Sequence, residues 1–464
     1  MTKKFSVHSL LFAVFLLGVL PATAQIKLIA NSSLTSSPAG LNKDLSGLDY
    51  TLENGVPADL LGGLGSGLTY LSGNTFLAIP DRGPNAVSFN PLIDDTSSFV
   101  ARFHAIDMHL QPNQGPGLPF TISPELQSTT LLYSASTLVY GSGNGLNIGS
   151  GVPPINRPSR NYFTGRSDNF DPNQSSQDPS DARLDPESIR VSNDGVFVYI
   201  SDEYGPYVYQ FLRVSGQRVR TFRLPDEFFV AHPAPTGSGE VAANLSGRTP
   251  NKGMEGIAIT PDGRTIVGML QAATIQDNIL GSPAASLLRF VTIDAQTGKT
   301  THQFAYLLTT GSGVSDITAI NDHEFLVDER DGKGLGDGSK AKVKQIFKID
   351  ISNAVDISGL DGTHAAVLAV PKTLFLDVVK VLNDNGITSD KIPAKLEGLS
   401  FGPDIQFDGQ TVHTLWLAND NDFLQDFSGP GTNPSQFFVF GVSDADLGGS
   451  VYAPQDHSYM NGGI

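Results

Sequence analysis

E-S-I-R-V-S-N-D-G-V-F-V-Y-I-S-D-E-Y-G, residues 187–205, carries the reading of this chain. A short alternating run leads into an N-D-G turn. A second run rich in β-branched and aromatic residues follows, then an acidic pair, which is the pattern of a β-hairpin. The arrangement returns at S-G-L-T-Y-L-S-G-N-T-F-L-A-I-P-D-R-G (66–83) and E-G-I-A-I-T-P-D-G-R-T-I-V-G-M-L-Q (255–271). It returns again at S-D-I-T-A-I-N-D-H-E-F-L-V-D-E-R-D-G (315–332) and from E-G-L-S-F-G-P-D (397–404) to W-L-A-N-D-N-D (416–422). One such unit cannot bury its own apolar face, so copies must stack on one another. The expected fold is all-β, a β-propeller.

Each copy is followed by further strand signals, at Val208 to Val214, Leu287 to Ile293, Gln345 to Ile349 and Phe437 to Val442, as four-stranded blades require. The gap between the copies at 66 and 187 is about twice a blade of roughly 40–50 residues. It holds strand candidates at Phe99 to Leu110 and Thr130 to Tyr140, so six blades are the first expectation, with five or seven as alternatives. N-terminal strands at Ile26 to Ala30 and Leu48 to Leu52 are expected to close the ring by completing the last blade, which leaves no open edge. Residues 141–182 and 232–252 read as long loop insertions of a single domain spanning 25–464, and Asp377 to Asn385 as a short helical or loop insertion.

Residues 1–24 have the form of a secretory leader: Lys3 and Lys4, an apolar stretch from Leu10 to Leu20, and A-T-A before Gln25. No later stretch is apolar enough to span a bilayer. Among 464 residues there is no cysteine, which excludes disulfides and a lipid on an N-terminal cysteine. The mature chain is therefore expected to be a soluble periplasmic or extracellular monomer. The full sequence's formal net charge of −17 argues against nucleic acid and anionic membranes and suits a binder of divalent cations.

Aligning the copies puts Glu187, Glu255 and Glu397 at one position, the start of the first strand, with Ser66 and Ser315 in the other two. The first strands of a propeller line its axis, so these glutamates are expected to converge there and to be catalytic. Carboxylates gathered on one axis repel unless cations compensate them. A second acidic set recurs about fifteen residues later, where the second strand ends: Asp81, Asp202, Glu203, Asp328, Glu329, Asp331 and Asp420, with Met269, Leu270 and Gln271 breaking the pattern in the third copy. These hard oxygen donors suit Ca²⁺, and Asp81, Asp202, Glu203, Glu329, Asp331 and Asp420 are the candidate metal ligands. Arg82, Arg183, Lys252, Arg330 and Lys395 stand beside them as salt-bridge partners or as grips on an anionic substrate. G-L-S-F-G (398–402) fits the nucleophile-elbow pattern, but Ser400 is expected inside a strand, where that motif has no turn to work from.

Taken together, A-I-P-D-R-G-P-N (78–85), L-D-P-E-S-I (184–189), Y-I-S-D-E-Y-G-P (199–206), K-G-M-E-G-I (252–257), D-E-R-D-G (328–332), K-L-E-G-L-S-F (395–401) and W-L-A-N-D-N-D-F (416–423) resemble the phytase-like family, also described by its esterase-like activity. The resemblance runs from about residue 45 to 445. It implies an exported propeller with Ca²⁺-dependent hydrolysis of phosphoric or other esters, whose substrate is a small molecule. Two other readings stand beside it: a lactonase-like propeller with one metal held by Glu187, Glu255 and Asn419, and an exported binding scaffold without catalysis.

Overall fold

The computed structural model describes residues 25–278, 286–424, 433–455 and 457. The expected leader lies outside them. Five antiparallel sheets stand around one axis. Blade 1 runs from the axis outward as Gly67–Ser72, Thr75–Ile79, Arg102–Pro112 and Phe120–Leu131; blade 2 as Pro186–Val191, Phe197–Asp202, Tyr207–Leu212 and Gln217–Arg223. Blade 3 is Met254–Ile259, Thr265–Leu270, Leu287–Asp294 and Thr300–Leu307; blade 4 is Gly313–Ala319, Glu324–Arg330, Lys344–Asp350 and Lys372–Asp377. In blade 5, Lys395–Phe401, Gln410–Asp420 and Ser435–Val442 are completed by the N-terminal strand Lys27–Leu34, with Lys27 opposite Gly441 and Leu34 opposite Ser435. The first and last of the described strands thus lock the ring.

The count is five blades, one of the alternatives, rather than six. The long gap is filled by outer strands of 11 and 12 residues in blade 1, twice the length of its inner pair. Of the expected strand from Thr130 to Tyr140, only Tyr133–Ser134 forms after the end of Phe120–Leu131, and with Asn161–Tyr162 it widens the edge of blade 2. Leu48 to Leu52 is not a strand; Thr51 makes an isolated bridge to Pro57. Val378–Asp384 is a short helix, capped by the Asp377 side chain on the Lys380 amide. Among the described residues no helix is long and apolar enough to cross a membrane.

Five inner strands can meet only if something small lies between them. Gly256 and Gly398 supply that space: a Cβ on Gly256 would lie 2.8 Å from the Asp316 Cα, and one on Gly398 2.9 Å from the Leu68 nitrogen. At the same level blades 2 and 4 carry Ser188 and Asp316, which fill the axis. Arg190 donates to both Asp316 oxygens at 2.9 Å and to the carbonyls of Leu68, Ile189, Ile317 and Leu399, which belong to blades 1, 2, 4 and 5. Asp316 in turn accepts from the Ser188 hydroxyl (2.9 Å) and the Leu399 amide (2.9 Å). Blade 3 joins through the Ser201 hydroxyl, which donates to the Glu255 carbonyl at 2.6 Å.

Removing one partner of a buried, fully hydrogen-bonded ion pair leaves the other charge without compensation. Arg190→Met and Asp316→Ala should therefore each lower unfolding free energy by about 3–5 kcal/mol in denaturant titrations. The double variant should cost clearly less than the sum of the two. Additive losses would mean that the pair does not act as a unit.

Candidate active site

The end of the axis where the inner strands begin opens into a cavity of ≈ 240 Å³. Glu187, Glu255 and Glu397 line it together. Each sits at an irregularity of its inner strand: register slips between Pro186 and Ile189, between Met254 and Ile257, and between Leu396 and Gly398. A bulge of this kind re-aims one side chain out of the strand's alternation. Blade 4 has the same slip, between Val314 and Asp316, and Ser315 stands there.

Among the described residues one set of carboxylates has the spacing of a metal site. An oxygen of each of Asp185, Glu187 and Glu203 lies within 4.8 Å of the other two. Asp185 precedes the inner strand of blade 2, and Glu203 follows its second strand, so one hairpin supplies all three. Asp185 accepts from the Arg82 amide at 3.0 Å and from its guanidinium at 3.2 Å. Glu203 accepts from the Gly253 amide at 3.0 Å. Gln271 donates to one Glu255 oxygen at 2.7 Å, while the other oxygen is buried without a hydrogen-bond partner. Glu397 is paired with Arg330 through one oxygen and leaves its second one buried and unpartnered. Lys395 lies between Asp420 (2.7 Å) and Asp422 (2.5 Å). Asn251 and Asp422, both at the rim, have left-handed backbones at φ 53° and 50°, a conformation that Asn and Asp tolerate best among residues with side chains.

Burial and mutual repulsion make several of these acids keep their protons to higher pH. Burial, then Glu255 and Asp185, push Glu187 well above the ordinary carboxylate range. Burial and Glu203 do the same for Glu255, and burial and Asp420 for Asp81. Burial raises Glu397 to about 7 against the pull of Arg330, and Asp185 to about 6 against that of Arg82. A divalent cation would replace these protons, and the donors are the hard oxygens that calcium takes. The residues present fit such an ion.

Asp81, Arg82, Lys252, Glu203, Arg330 and Lys395 all line the cavity. The other residues singled out from sequence lie elsewhere. Arg183 faces Glu240 at 3.6 Å beneath the rings of Phe170 and Tyr204. Asp202 accepts from the amides of Asp185, Tyr204 and Gly205 and so shapes the turn that carries Glu203. Glu329 is held by Lys372, the Tyr306 hydroxyl and Ser312 between blades 3 and 4. Asp331 pairs with the buried Lys344 at 2.6 Å. Asp420 backs Lys395 from behind. Asn419 bonds to the Pro434 carbonyl and the Gln436 amide within blade 5. Ser400 lies inside the strand Lys395–Phe401 at the opposite end of the axis, where its hydroxyl accepts from the Tyr70 amide.

Sequence reasoning missed Asp185 and Gln271. Asp185 stands two residues before a repeat glutamate, outside the aligned positions. Gln271 looked like a break in the acidic pattern, yet it holds Glu255.

A family described as phytase-like, esterase-like activity of phytase, matches residues 59–423. An uncharacterized secreted protein of Arthroderma benhamiae (strain ATCC MYA-4681 / CBS 112371) is 32% identical over 146 residues, 26% of this chain and 26% of its own length. The chain thus matches about a quarter of that relative. Among solved structures, the periplasmic gluconolactonase PpgL of Pseudomonas aeruginosa is 12% identical, covering 92% of this chain and 97% of that one at a TM-score of 0.32. The major allergen Mala s 1 of Malassezia sympodialis is 11% identical, covering 86% and 82% at 0.37. Likenesses this distant assign no activity.

Glu397 and Asp185 keep protons in the folded chain at pH values where the unfolded chain has lost them. Linkage then makes the cation-free protein most stable on the acid side of that window, with stability falling as pH rises from about 4 to about 7. Buried Asp202 and Asp181 add to this trend, at about 6 and about 7, and His104, lowered by burial to about 4, opposes it. Calcium bound at the mouth isolates the site's own share. The melting temperature in chelator should fall between about pH 5 and about pH 7.5, and saturating CaCl₂ should flatten the slope. Slopes that are parallel with and without calcium would place the responsible carboxyls away from the mouth.

Proposed function

We propose that this chain, which belongs to the phytase-like family, is an exported, calcium-dependent hydrolase of esters, phosphoric esters foremost, working at the acidic mouth of the propeller. One observation carries the reading: Asp185, Glu187 and Glu203 bring an oxygen each within 4.8 Å of one another, in a site where burial and neighbouring acids raise Asp185 and Glu187 above the ordinary carboxylate range. Side chains placed so unfavourably for stability point to a ligand that relieves them.

Asp185, Glu187 and Glu203 would hold the ion. When bound, it supplies Lewis acidity to the ester oxygen and lowers the pKa of a water. Glu255 is fixed through one oxygen by Gln271 and presents the other, unpartnered, beside that site. With a cation bound in place of its proton, it has the position of a general base that takes a proton from the attacking water. Arg330, held against Glu397, and Arg82, held against Asp185, place positive charge where negative charge grows on the ester oxygens.

The roles separate in experiment. The mature protein, stripped with chelator and refilled with Ca²⁺, is assayed on phosphomonoester, phosphodiester and carboxylester substrates. Glu187→Gln should raise the calcium concentration needed for half activity by about tenfold or more, the loss expected when one charged ligand goes. Glu255→Gln should lower kcat by about 10²-fold, the scale of a general base, with the calcium requirement unchanged. Calcium-independent activity, or no turnover of any ester by folded, calcium-loaded protein, would overturn the reading.

A further inference from the structure

The cations at the mouth differ in one respect. Arg82 lies against Asp185, Arg330 against Glu397, and Lys395 between Asp420 and Asp422. Lys252 is held instead by a neutral group: among the described residues its partner is the Gln271 carbonyl oxygen, at 2.8 Å. It is exposed at the rim. Gln271 serves both neighbours, accepting from Lys252 and donating to Glu255. In other copies acids stand near this place. A glutamate here would pair with Lys252 and repel Glu255, so the amide is what leaves the lysine's charge available.

The charge balance around the cavity is also unequal. Six carboxylates and four cations line it, and Asp185 and Asp420 lie directly behind Arg82 and Lys395. A single divalent cation does not turn this surface positive. A polyanion entering it would meet carboxylates at each added charge, whereas one anionic group can be shared between a bound cation and Lys252. The volume, ≈ 240 Å³, falls below the roughly 300–1,000 Å³ of pockets that enclose a drug-sized ligand.

Resting on the ester-hydrolase reading above, we infer that the mouth accepts a substrate through one anionic group, a lone phosphomonoester or phosphodiester, with Lys252 as its receptor and Gln271 as the residue that keeps that receptor free. Polyphosphorylated substrates gain nothing from their further charges.

The test uses binding, so that it does not depend on turnover. Inorganic phosphate, pyrophosphate and tripolyphosphate are titrated calorimetrically into the calcium-loaded protein at fixed free Ca²⁺. Phosphate should bind, and the two longer anions no more tightly. Lys252→Ala should weaken phosphate binding about tenfold, the low end of what a charged hydrogen bond contributes. Gln271→Glu should weaken it comparably while leaving the melting temperature in chelator within a few degrees of the parent protein. Affinity that climbs tenfold or more with each phosphoryl group would overturn the inference, as would phosphate binding untouched by both substitutions or absent from the parent protein. Absent ester hydrolysis with the expected binding series would sink the catalytic reading alone.

Discussion

Everything at the mouth depends on what closes the axis beneath it. Arg190 and Asp316 are both buried, and between them they contact the inner strands of blades 1, 2, 4 and 5. The arrangement answers a packing problem specific to five blades. Five inner strands crowd the axis so closely that glycine is required where Gly256 and Gly398 meet their neighbours, and the space left is filled by one guanidinium and one carboxylate. An apolar plug would leave several carbonyls of the inner strands without this donor; a guanidinium, with its five donors in a fork, reaches them at once. The inner strands are thereby held rigid just below the bulges that carry the glutamates.

That rigidity is what allows the site to exist. Glu187, Glu255, Glu397 and Asp81 are pushed up in pKa by burial and by one another, a destabilising arrangement that a looser scaffold would relieve by letting the side chains swing into water. Here the bulges aim the three glutamates inward and the plug prevents the strands from parting. Stability spent in this way is a recurrent feature of functional sites. The carboxylates that do pair in full, such as Glu329 with Lys372 and Asp331 with Lys344, lie away from the mouth and tie outer strands and loops together.

The sequence showed the fold at the level of repeats. Alternating strands, N-D-G and P-D-G turns and the recurring glutamate are local signals, and they pointed to a propeller and to a ring of acids on its axis. The closing strand at the N-terminus was legible because a propeller needs an edge partner. Blade number was not, since it turns on how long the outer strands grow: Arg102–Pro112 and Phe120–Leu131 absorb a gap that could have housed another blade. The second acidic set divided for a similar reason. Asp202 and Glu203 are adjacent in sequence, yet one caps a turn and the other enters the cavity, and only the path of the backbone decides which. Asp185 and Gln271 act through partners on other strands, Arg82 and Glu255, and no pattern along one strand reports that.

The axis has a second opening, and the comparison between the two explains where chemistry can occur. At the far end lies a larger cavity, ≈ 350 Å³, lined by Thr69, Tyr70, Thr318, Ser400 and Phe401 and crossed by the C-terminal stretch. Ala453 donates to the Ile320 carbonyl and Gln455 to that of Val191, so this stretch straps blade 4 to blade 2. Its one lining carboxylate, Asp404, is already matched by His413 at 2.8 Å. Size therefore favours one end and unsatisfied charge the other. The two ends share the same five strands, and what separates them is direction: the inner strands of blades 2, 3 and 5 begin at a bulge that turns a glutamate toward the axis, and their far ends pair regularly. The acidic mouth is thus a consequence of where along the strand the alternation is broken.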